Sequence, residues 1–153
     1  MANVIYTTFL QKLANGGIDF DDGAVVVRAA LERSTSTYSA NKDHEFMDDL
    51  TSFVECTVAS YARQTVANKA VNLDTSNDRI ELIFDDVAFG TLESGQTVKG
   101  IVLYVQTGGN DASPEDDSLI CYIDTATNLP AVLADGPFTV VINAEGLIQI
   151  AQA

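Results

Sequence analysis

The residues best suited to chemistry lie in HEFMDDL, residues 44–50, which holds the only histidine of the chain, His44, and three carboxylates. On a helix, His44 and Asp48 would lie four positions apart on one face, close enough to share a metal ion. Two ligands do not make a metal site, and the sequence has no second histidine to complete one. We therefore expect the charges to be solvated and the apolar residues to anchor the segment. These anchors are Phe46, Met47 and Leu50.

Other acidic stretches do not match known calcium or catalytic patterns. DFDDG begins at Asp19, and an EF-hand loop would place its glycine sixth and a glutamate twelfth, whereas Gly23 is already the fifth residue. The stretches NLDTSNDR and NDASPEDD fail the same test. Asp85 and Asp86 are neighbours in a predicted strand, so their side chains face opposite ways and form no catalytic pair. We predict no metal site in the chain.

Motifs of enzymes and of nucleotide-binding proteins are missing from the sequence. It contains no GxSxG nucleophile elbow, no P-loop and no GxGxxG fingerprint. The eight basic residues are scattered and form no stripe with aromatic residues, as a single-strand-binding surface would require. The sequence therefore predicts a protein that is not an enzyme, with no catalytic residues and no cofactor.

The balance of charge argues against some partners. Twenty-two acidic residues against eight basic ones give a formal net charge of −14. Such a surface repels phosphate backbones and anionic lipid heads, so we expect neither nucleic acid nor membrane as a partner. It would suit docking onto a basic protein surface. In addition, no apolar run approaches the roughly 20 residues that cross a bilayer.

A short helix is predicted at the N-terminus, over about residues 3–15. Asn3 is a good N-cap, and Gly16-Gly17 ends the segment as a helix C-cap does. The apolar residues between them repeat at helical spacing. They are Val4, Ile5, Phe9 and Leu13. Residues 44–50 are the predicted second short helix.

The rest of the chain carries the pattern of β-strands. The predicted strands are 24–31, 55–66, 69–73, 79–89, 97–107, 118–124 and 137–150. We expect 55–66, 69–73 and 79–89 to form a meander, and the last stretch to be a hairpin that turns at residues 143–146. This gives seven or eight strands with no βαβ alternation. The pattern indicates one mainly β domain over residues 1–153, an antiparallel β-sandwich or barrel of jelly-roll type.

Loops, glycine and cysteine add further expectations. The polar stretches 32–43 and 108–117 predict exposed loops. Gly100 lies within a predicted strand and indicates a β-bulge or a close approach. Cys56 and Cys121 lie far apart and outside any CxxC pattern, so we expect buried thiols in a reducing compartment. The start of the chain has no basic region before its apolar residues, which favours cytoplasmic synthesis.

Several blocks of the sequence resemble small virion structural proteins of tailed bacteriophages. The blocks occur in family order from Met1 to about Ile150 and are MANVIYTTF, HEFMDDL, ANKAV, NDRIELIFDDVAF, GIVLYVQTGG, LICYID and PFTVVINAEGLIQI. The resemblance implies a virion component without catalytic residues, made in the host cytoplasm. A small, acidic, β-rich domain of this look fits a capsid decoration (cement) protein, which binds the outer shell and stabilises the expanded head.

A decoration role implies particular partners. These would be the major capsid protein and further copies of the same chain, with a trimer favoured because cement proteins often occupy local threefold positions. Candidate contacts are exposed apolar residues of the N-terminal helix and of residues 34–50. Many cement proteins have an extended N-terminal arm, whereas this N-terminus is predicted to be helical.

Two other functions stay open. The alternative within the virion is a tail component, such as a tail-tube, terminator, baseplate or fibre-adaptor protein. There, residues 108–117 or 34–50 would serve as the long insertion loop of a ring. A third class is a binding module that recognises host-surface glycans or a small ligand through its loops.

Overall fold

The computed structural model describes residues 3–151, which form mainly antiparallel β-structure. The strands are β1 (Val4–Ile5), β2 (Val26–Arg33), β3 (Gln64–Thr65), β4 (Ala70–Asp74), β5 (Arg79–Ile83), β6 (Val87–Leu92), β7 (Thr97–Gln106), β8 (Ser118–Ile123), β9 (Ala131–Val132), β10 (Gly136–Val140) and β11 (Ile148–Ala151). The described helical elements are α1 (Thr7–Ala14) and a 3-10 turn (Met47–Asp49). The predicted fold class, mainly β and sandwich-like with two short helical elements, is confirmed.

A large sheet forms the centre of the domain. Its strands are ordered β1-β8-β7-β2-β3, and β9 pairs with the start of β7. β7 is the central strand, because β2 and β8 pair along its two edges, and most of its residues are buried. Much of the hydrophobic core therefore lies on β2, β7 and β8.

Two smaller sheets pair strands that are distant in sequence. One has the order β11-β5-β4, and the other pairs β10 with β6. The predicted single strand 79–89 is therefore wrong, since β5 and β6 belong to different sheets. The chain leaves one sheet for the other through residues 84–86, where Phe84 is buried. Burying the Phe84 ring stabilises the fold more than a single straight strand over residues 79–89 would.

The predicted meander is wrong except for one hairpin. β4 and β5 pair as expected, and the Asp74 carboxylate holds their turn by accepting the backbone N–H groups of Ser76 and Asn77. Residues 55–66 instead run mostly as a loop, in which β3 pairs with β2. The reason is a side-chain contact: Arg63 binds Glu55 and closes this segment on itself.

The hairpin expected over residues 137–150 is also absent, although its turn is present. Gly146 has a φ of 87°, and its N–H donates to the carbonyl of Asn143 at 2.8 Å. The strands on either side diverge, because β10 pairs with β6 and β11 pairs with β5. Each of those partners contributes buried apolar residues, such as Leu92 and Leu82, so the distant pairings bury more apolar surface.

The N-terminal helix begins later than predicted. Val4 and Ile5 form β1 and pair with β8, so α1 starts only at Thr7. Asn3 is not its cap. The Asn3 side chain instead accepts the N–H of Thr125 at 3.0 Å and donates to the Thr125 carbonyl at 3.1 Å, which fixes the end of β1 against the residues after β8.

The remainder of α1 agrees with the prediction. Phe9 is fully buried on its inner side. Gly16 adopts a φ of 74°, and the N–H of Gly17 donates to the Lys12 carbonyl at 2.8 Å, which ends the helix. No helix in the described part of the chain is long and apolar enough to cross a membrane.

The segment 32–43 is a largely exposed loop after Arg33, as its polar composition predicts, but three of its residues are buried. Glu32 belongs to β2 and is fully buried, and Ser36 and Tyr38 are buried as well. The Ser36 hydroxyl donates to the Glu32 carboxylate, and the Tyr38 ring packs edge-on against Tyr122 at 5.3 Å. Internal hydrogen bonds satisfy the polar groups of these three side chains, so they can pack into the core.

Both features expected at Gly100 are present. The register between β2 and β7 shifts next to Gly100, which is a β-bulge. A Cβ atom at Gly100 would lie 2.7 Å from the Glu32 carboxylate and 2.7 Å from the Tyr122 hydroxyl. Cys56 and Cys121 are buried free thiols, as predicted, and burial raises the pKa of Cys121 to about 12.

Candidate interaction surface

Of the helix predicted over residues 44–50, only Met47–Asp49 is helical, as a single 3-10 turn, so His44 and Asp48 do not share a helix face. Met47 and Leu50 are buried, which confirms them as anchors, and Phe46 is partly buried. Asp49 accepts the backbone N–H groups of Phe46 at 3.0 Å and Glu45 at 2.7 Å, and these bonds lower the pKa of Asp49. Asp49 therefore stabilises the turn.

His44 lies against two tyrosines. Its Nδ1 atom is 3.1 Å from the Tyr38 hydroxyl, which is in turn 2.9 Å from the Tyr6 hydroxyl. Tyr6 is fully buried, and this burial raises its pKa, so its hydroxyl stays protonated. Within residues 3–151, no group of three or more His, Cys, Asp or Glu side chains is placed to hold a metal ion.

The two acidic stretches that the sequence brings to attention, 44–50 and 108–117, lie side by side. The N–H of Met47 donates to the Asp117 carbonyl at 3.0 Å, and the N–H of Asp48 donates to the Pro114 carbonyl at 3.3 Å. Three carboxylates on these two neighbouring segments are exposed. We call them the acidic ridge: Asp48, Glu115 and Asp116.

A cluster of partly buried charged side chains holds the loop 108–117, which carries part of the acidic ridge. The Asp111 carboxylate accepts the Tyr104 hydroxyl at 2.6 Å and lies 3.3 Å from the Arg28 guanidinium. Arg63 adds a hydrogen bond to the same Tyr104 hydroxyl at 3.0 Å and a bidentate ion pair with Glu55. The loop 108–117 is thus bound to the face of the large sheet.

The pKa of Asp111 is below its ordinary value. Burial acts to raise it, but the hydrogen bonds from Tyr104 and Gln106 and the charges of Arg28 and Arg63 outweigh burial. A lowered carboxyl pKa means that Asp111 stabilises the fold above the pKa of the unfolded chain, near 3.9. That contribution is lost as the pH falls through the lowered pKa.

We therefore expect Asp111→Asn to lower the free energy of unfolding at pH 7 by about 1 kcal/mol, because the charged hydrogen bonds and ion pairs become neutral. The difference from wild type should shrink when the pH falls well below 3.9. Urea denaturation at pH 7 and pH 2.5 measures it. Asp116→Asn, on the exposed ridge, is the matched control and should change little. An equal difference at both pH values would contradict this role of Asp111.

The pKa of Asp117, in the same loop, is shifted in the opposite direction from that of Asp111. Its Oδ1 accepts the N–H of Thr107 at 2.8 Å, whereas its buried Oδ2 has no hydrogen-bond partner. Burial raises the pKa of Asp117. Sequence reasoning missed both carboxylates as structural groups, although Arg28 inside the apolar run AVVVRAAL signals that a buried strand needs an acidic partner.

The three-stranded sheet has an apolar face. Directly paired residues of antiparallel strands point to the same side, and so do alternate residues along each strand. The register aligns two rows on one side: Val71, Leu82 and Ile148, then Leu73, Ile80 and Ile150. Leu82 and Ile148 are buried in the core, whereas Leu73 is 66% exposed and Ile150 is 38% exposed. The rest of the domain therefore covers the second row only in part.

Helix α1 borders this uncovered row. A groove of about 600 Å³ lies between α1 and β11, and its apolar lining includes Ile5, Leu10, Leu13, Ile80, Ile148 and Ile150. Leu10 is 37% exposed. We call the exposed row and the adjoining side of α1 the apolar face, defined by Leu10, Leu13, Leu73, Ile80 and Ile150.

The apolar face is nearly free of charge on a strongly acidic chain. Residues 1–18 and 146–153 contain no Asp or Glu, and α1 and β11 come from these segments. The charged residues of β4 and β5 point to the opposite side of the sheet, where Arg79 binds Asp74 at 3.1 Å and Glu81 at 2.9 Å. Lys12 of α1 is paired with Glu45 at 2.9 Å.

The expected contact residues stay a prediction, for which the structure shows only which side chains are exposed. Leu10 of the N-terminal helix is exposed, as the sequence suggested. In residues 34–50 the large apolar residues Tyr38, Met47 and Leu50 are buried, which leaves the half-buried Phe46 as the candidate contact there. Sequence reasoning did not find the row of Leu73, Ile80 and Ile150, since only the strand register brings those residues together.

The described surface thus combines an acidic ridge with an uncharged apolar face. The ridge is held by backbone hydrogen bonds, and the face is built from α1 and the three-stranded sheet. In comparisons with known proteins, no family model matches the chain, and no curated protein or solved structure matches it.

Proposed function

We propose that this protein is a structural component of a tailed-phage virion and acts as a capsid decoration protein. It would bind the outside of the shell and stabilise the expanded head, without catalysis. The resemblance of seven sequence blocks to small virion proteins suggests this role. The observation in the structure that best supports it is the acidic ridge, which presents exposed carboxylates on a backbone held by hydrogen bonds.

Exposed carboxylates favour adhesion to a basic protein surface. A backbone that is already ordered loses less conformational entropy when a partner binds. The backbone bonds from Met47 and Asp48 to residues 114–117 provide this preorganisation for the ridge. Binding only to the assembled, expanded lattice stabilises that lattice by mass action, and many equivalent copies add their contributions.

The first experiment is to find where the protein sits in the virion. Purified virions are separated into DNA-filled heads and free tails on a density gradient, and each fraction is probed for this chain. We expect the chain on heads in hundreds of copies, and heads stripped of it should burst at a lower temperature. A few copies that cosediment with tails would overturn the decoration role in favour of a tail component, and absence from both fractions would overturn a virion role.

Variants that remove exposed charges test whether the acidic ridge, and not another part of the surface, binds the shell. Asp48→Asn combined with Glu115→Gln and Asp116→Asn removes three exposed charges, and it should weaken rebinding to stripped heads. Asp78→Asn removes one exposed charge elsewhere, at the turn after β4, and is the control for the single ridge variant Asp116→Asn. If the ridge variants rebind like wild type, the acidic ridge is not the docking surface.

A further inference from the structure

Four side chains on the large sheet bind the Asp111 carboxylate in the way that a protein binds a ligand. Tyr104 and Gln106 of β7 donate to Asp111 Oδ1 at 2.6 Å and 2.5 Å. The Arg28 guanidinium of β2 lies 3.3 Å from Oδ2, and the Arg63 guanidinium lies 3.7 Å from Oδ1. We call these four residues the carboxylate site: Arg28, Arg63, Tyr104 and Gln106.

The carboxylate site is held in place by bonds that do not involve Asp111. The Glu55 carboxylate accepts Arg63 Nε at 2.9 Å and Arg63 Nη2 at 2.8 Å, and Arg63 Nη1 donates to the Tyr104 hydroxyl at 3.0 Å. Arg28 Nη2 donates to the carbonyl of Arg63 at 2.9 Å. We therefore expect the site to keep its shape when Asp111 leaves, and such preorganisation favours binding of a ligand.

Asp111 itself comes from the tip of the loop 108–117, which we define as residues 108–112. Gly108 and Gly109 have φ values of 72° and 74°, a conformation that glycine adopts without strain. The hydrogen bonds of the Asn110 side chain stay within the tip. Among the described residues, Asp111 is thus the only hydrogen-bonded link from the tip to the sheet. The tip can leave the sheet by breaking the contacts of this one side chain.

The charge balance shows what the vacant site would require. Arg28 and Arg63 carry two positive charges, which face the negative charges of Glu55 and Asp111. Without Asp111, one positive charge has no partner, although the two arginine side chains are only 19% and 22% exposed. Within residues 3–151, the buried Nε of Arg28 lacks a hydrogen-bond partner even with Asp111 in place. A planar carboxylate matches guanidinium donors of this kind.

We propose that the carboxylate site binds an acidic peptide, and that Asp111 occupies it as an internal ligand until an aspartate or glutamate side chain of another polypeptide displaces it. The occupant in the structure is an aspartate side chain on an irregular segment, so an acidic peptide can present the same group in the same way. Because Asp111 is tethered, it competes at a high effective concentration, and a partner must add further contacts to displace it. The inference does not rest on the proposed virion role.

The Asp111→Ala variant tests the site directly, because it removes the internal ligand. The probe is a peptide of residues 108–112, GGNDA, blocked at both ends, and the control peptide GGNNA lacks only the carboxylate. In 0.15 M NaCl at pH 7, calorimetric titration should show GGNDA binding with a Kd of about 1 mM and about tenfold more tightly than GGNNA. Equal binding of the two peptides to the folded variant overturns the proposal.

Further variants locate the binding and identify the ligand. Adding Arg28→Met to Asp111→Ala removes a charged donor and should weaken GGNDA binding about tenfold. Asp116→Ala is the matched control in the same loop, and it should bind GGNDA far more weakly than Asp111→Ala does, because its site is still occupied. Unchanged binding after Arg28→Met overturns the proposal. Sodium acetate that binds as tightly as GGNDA also overturns it, since the site would then take free carboxylates and would not recognise a peptide.

The fold of each variant is checked by circular dichroism and its thermal midpoint. The wild-type chain keeps the test informative if Asp111→Ala unfolds. At about 50 mM, GGNDA should compete with the tethered side chain and shift the NMR amide signals of Gly108 and Gly109, whereas GGNNA should not. Identical spectra with the two peptides overturn the displacement of Asp111. None of these results bears on whether the chain is found on phage heads, which the gradient experiment decides separately.

Discussion

Glu32→Ala is expected to lower the free energy of unfolding by about 3 kcal/mol, or about 6–12 °C in Tm. The Glu32 side chain, on β2 opposite Gly100 of β7, is fully buried. Its carboxylate accepts hydrogen bonds from Ser36 and Tyr122 and lies 3.3 Å from the Lys99 ammonium. Removing one partner of a buried ion pair costs about 3–5 kcal/mol, because the other charge loses its compensation.

The lower end of that range applies here for a structural reason. The side chain of Lys99 is 24% exposed and also donates to the Ser36 carbonyl at 2.9 Å, so it can recover some hydration. The Tyr122 hydroxyl, in contrast, is buried and would lose the carboxylate that it binds. Burial of a polar group without a partner costs about 1–3 kcal/mol.

Chemical denaturation at pH 7 measures this effect, with Glu115→Ala as the control. Glu115 is exposed on the acidic ridge, so its replacement should change stability by no more than about 0.5 kcal/mol. Tyr122→Phe removes only one hydrogen bond of the Glu32 carboxylate. Its loss in free energy of unfolding should therefore lie between those of Glu32→Ala and Glu115→Ala. A loss below 1 kcal/mol for Glu32→Ala would show that the carboxylate is not held in the core as described.

Gly100→Ala is expected to cost about 1–3 kcal/mol, although it adds a single methyl group. The new Cβ would lie 2.7 Å from the Glu32 carboxylate, 2.7 Å from the Tyr122 hydroxyl and 2.9 Å from the Tyr122 ring. These atoms cannot move away cheaply. The carboxylate is fixed by its hydrogen bonds, and the Tyr122 ring packs edge-on against Tyr38.

Gly23→Ala is the matched control for this overpacking. A Cβ at Gly23 meets no atom within 4 Å, and Gly23 is not among the glycines with positive φ. This variant should therefore be neutral, or slightly stabilised because the unfolded chain loses freedom. Thermal unfolding of both variants under the same conditions makes the comparison. Equal midpoints would mean that β7 shifts to accept the methyl group.

Sequence patterns predicted the features that depend on neighbouring residues. The body of α1 and its Gly16 cap, the β4–β5 turn and the two anchors Met47 and Leu50 all follow from short-range spacing. Gly100 was also informative, because a glycine inside an apolar strand implies that something approaches closely. In each case the physical cause lies within a few residues or in the small size of one side chain.

Features that depend on distant pairing were not predictable in this way. Residues 137–150 carry two strands and a good turn, yet the strands join different sheets because β6 and β5 offer more apolar surface. The segment after β2 is polar in composition, but Ser36 and Tyr38 are buried through bonds to Glu32 and His44. Hydropathy reports a residue type and does not report whether a partner is available.

In the candidate surfaces, too, individual residues were predictable from the sequence, but contacts between distant segments were not. The acidic residues of the ridge were noted individually, but their proximity follows from backbone bonds between residues 47–48 and 114–117. The apolar face needs the register of β4, β5 and β11, which aligns Leu73 with Ile80 and Ile150. No spacing within any one of these strands reveals such an alignment.

The pairing of β1 with β8 also determines the order in which the protein can fold during translation. Asn3 binds Thr125 across 122 positions of sequence. At a synthesis rate of about 5–20 residues per second, the N-terminal strand waits about 6–24 s for its partner to emerge from the ribosome. β2 likewise waits for β7, the strand on which the large sheet is built. The sheet therefore closes late in translation, and its high proportion of non-local pairings places folding in the slow, millisecond-to-second range typical of β-proteins.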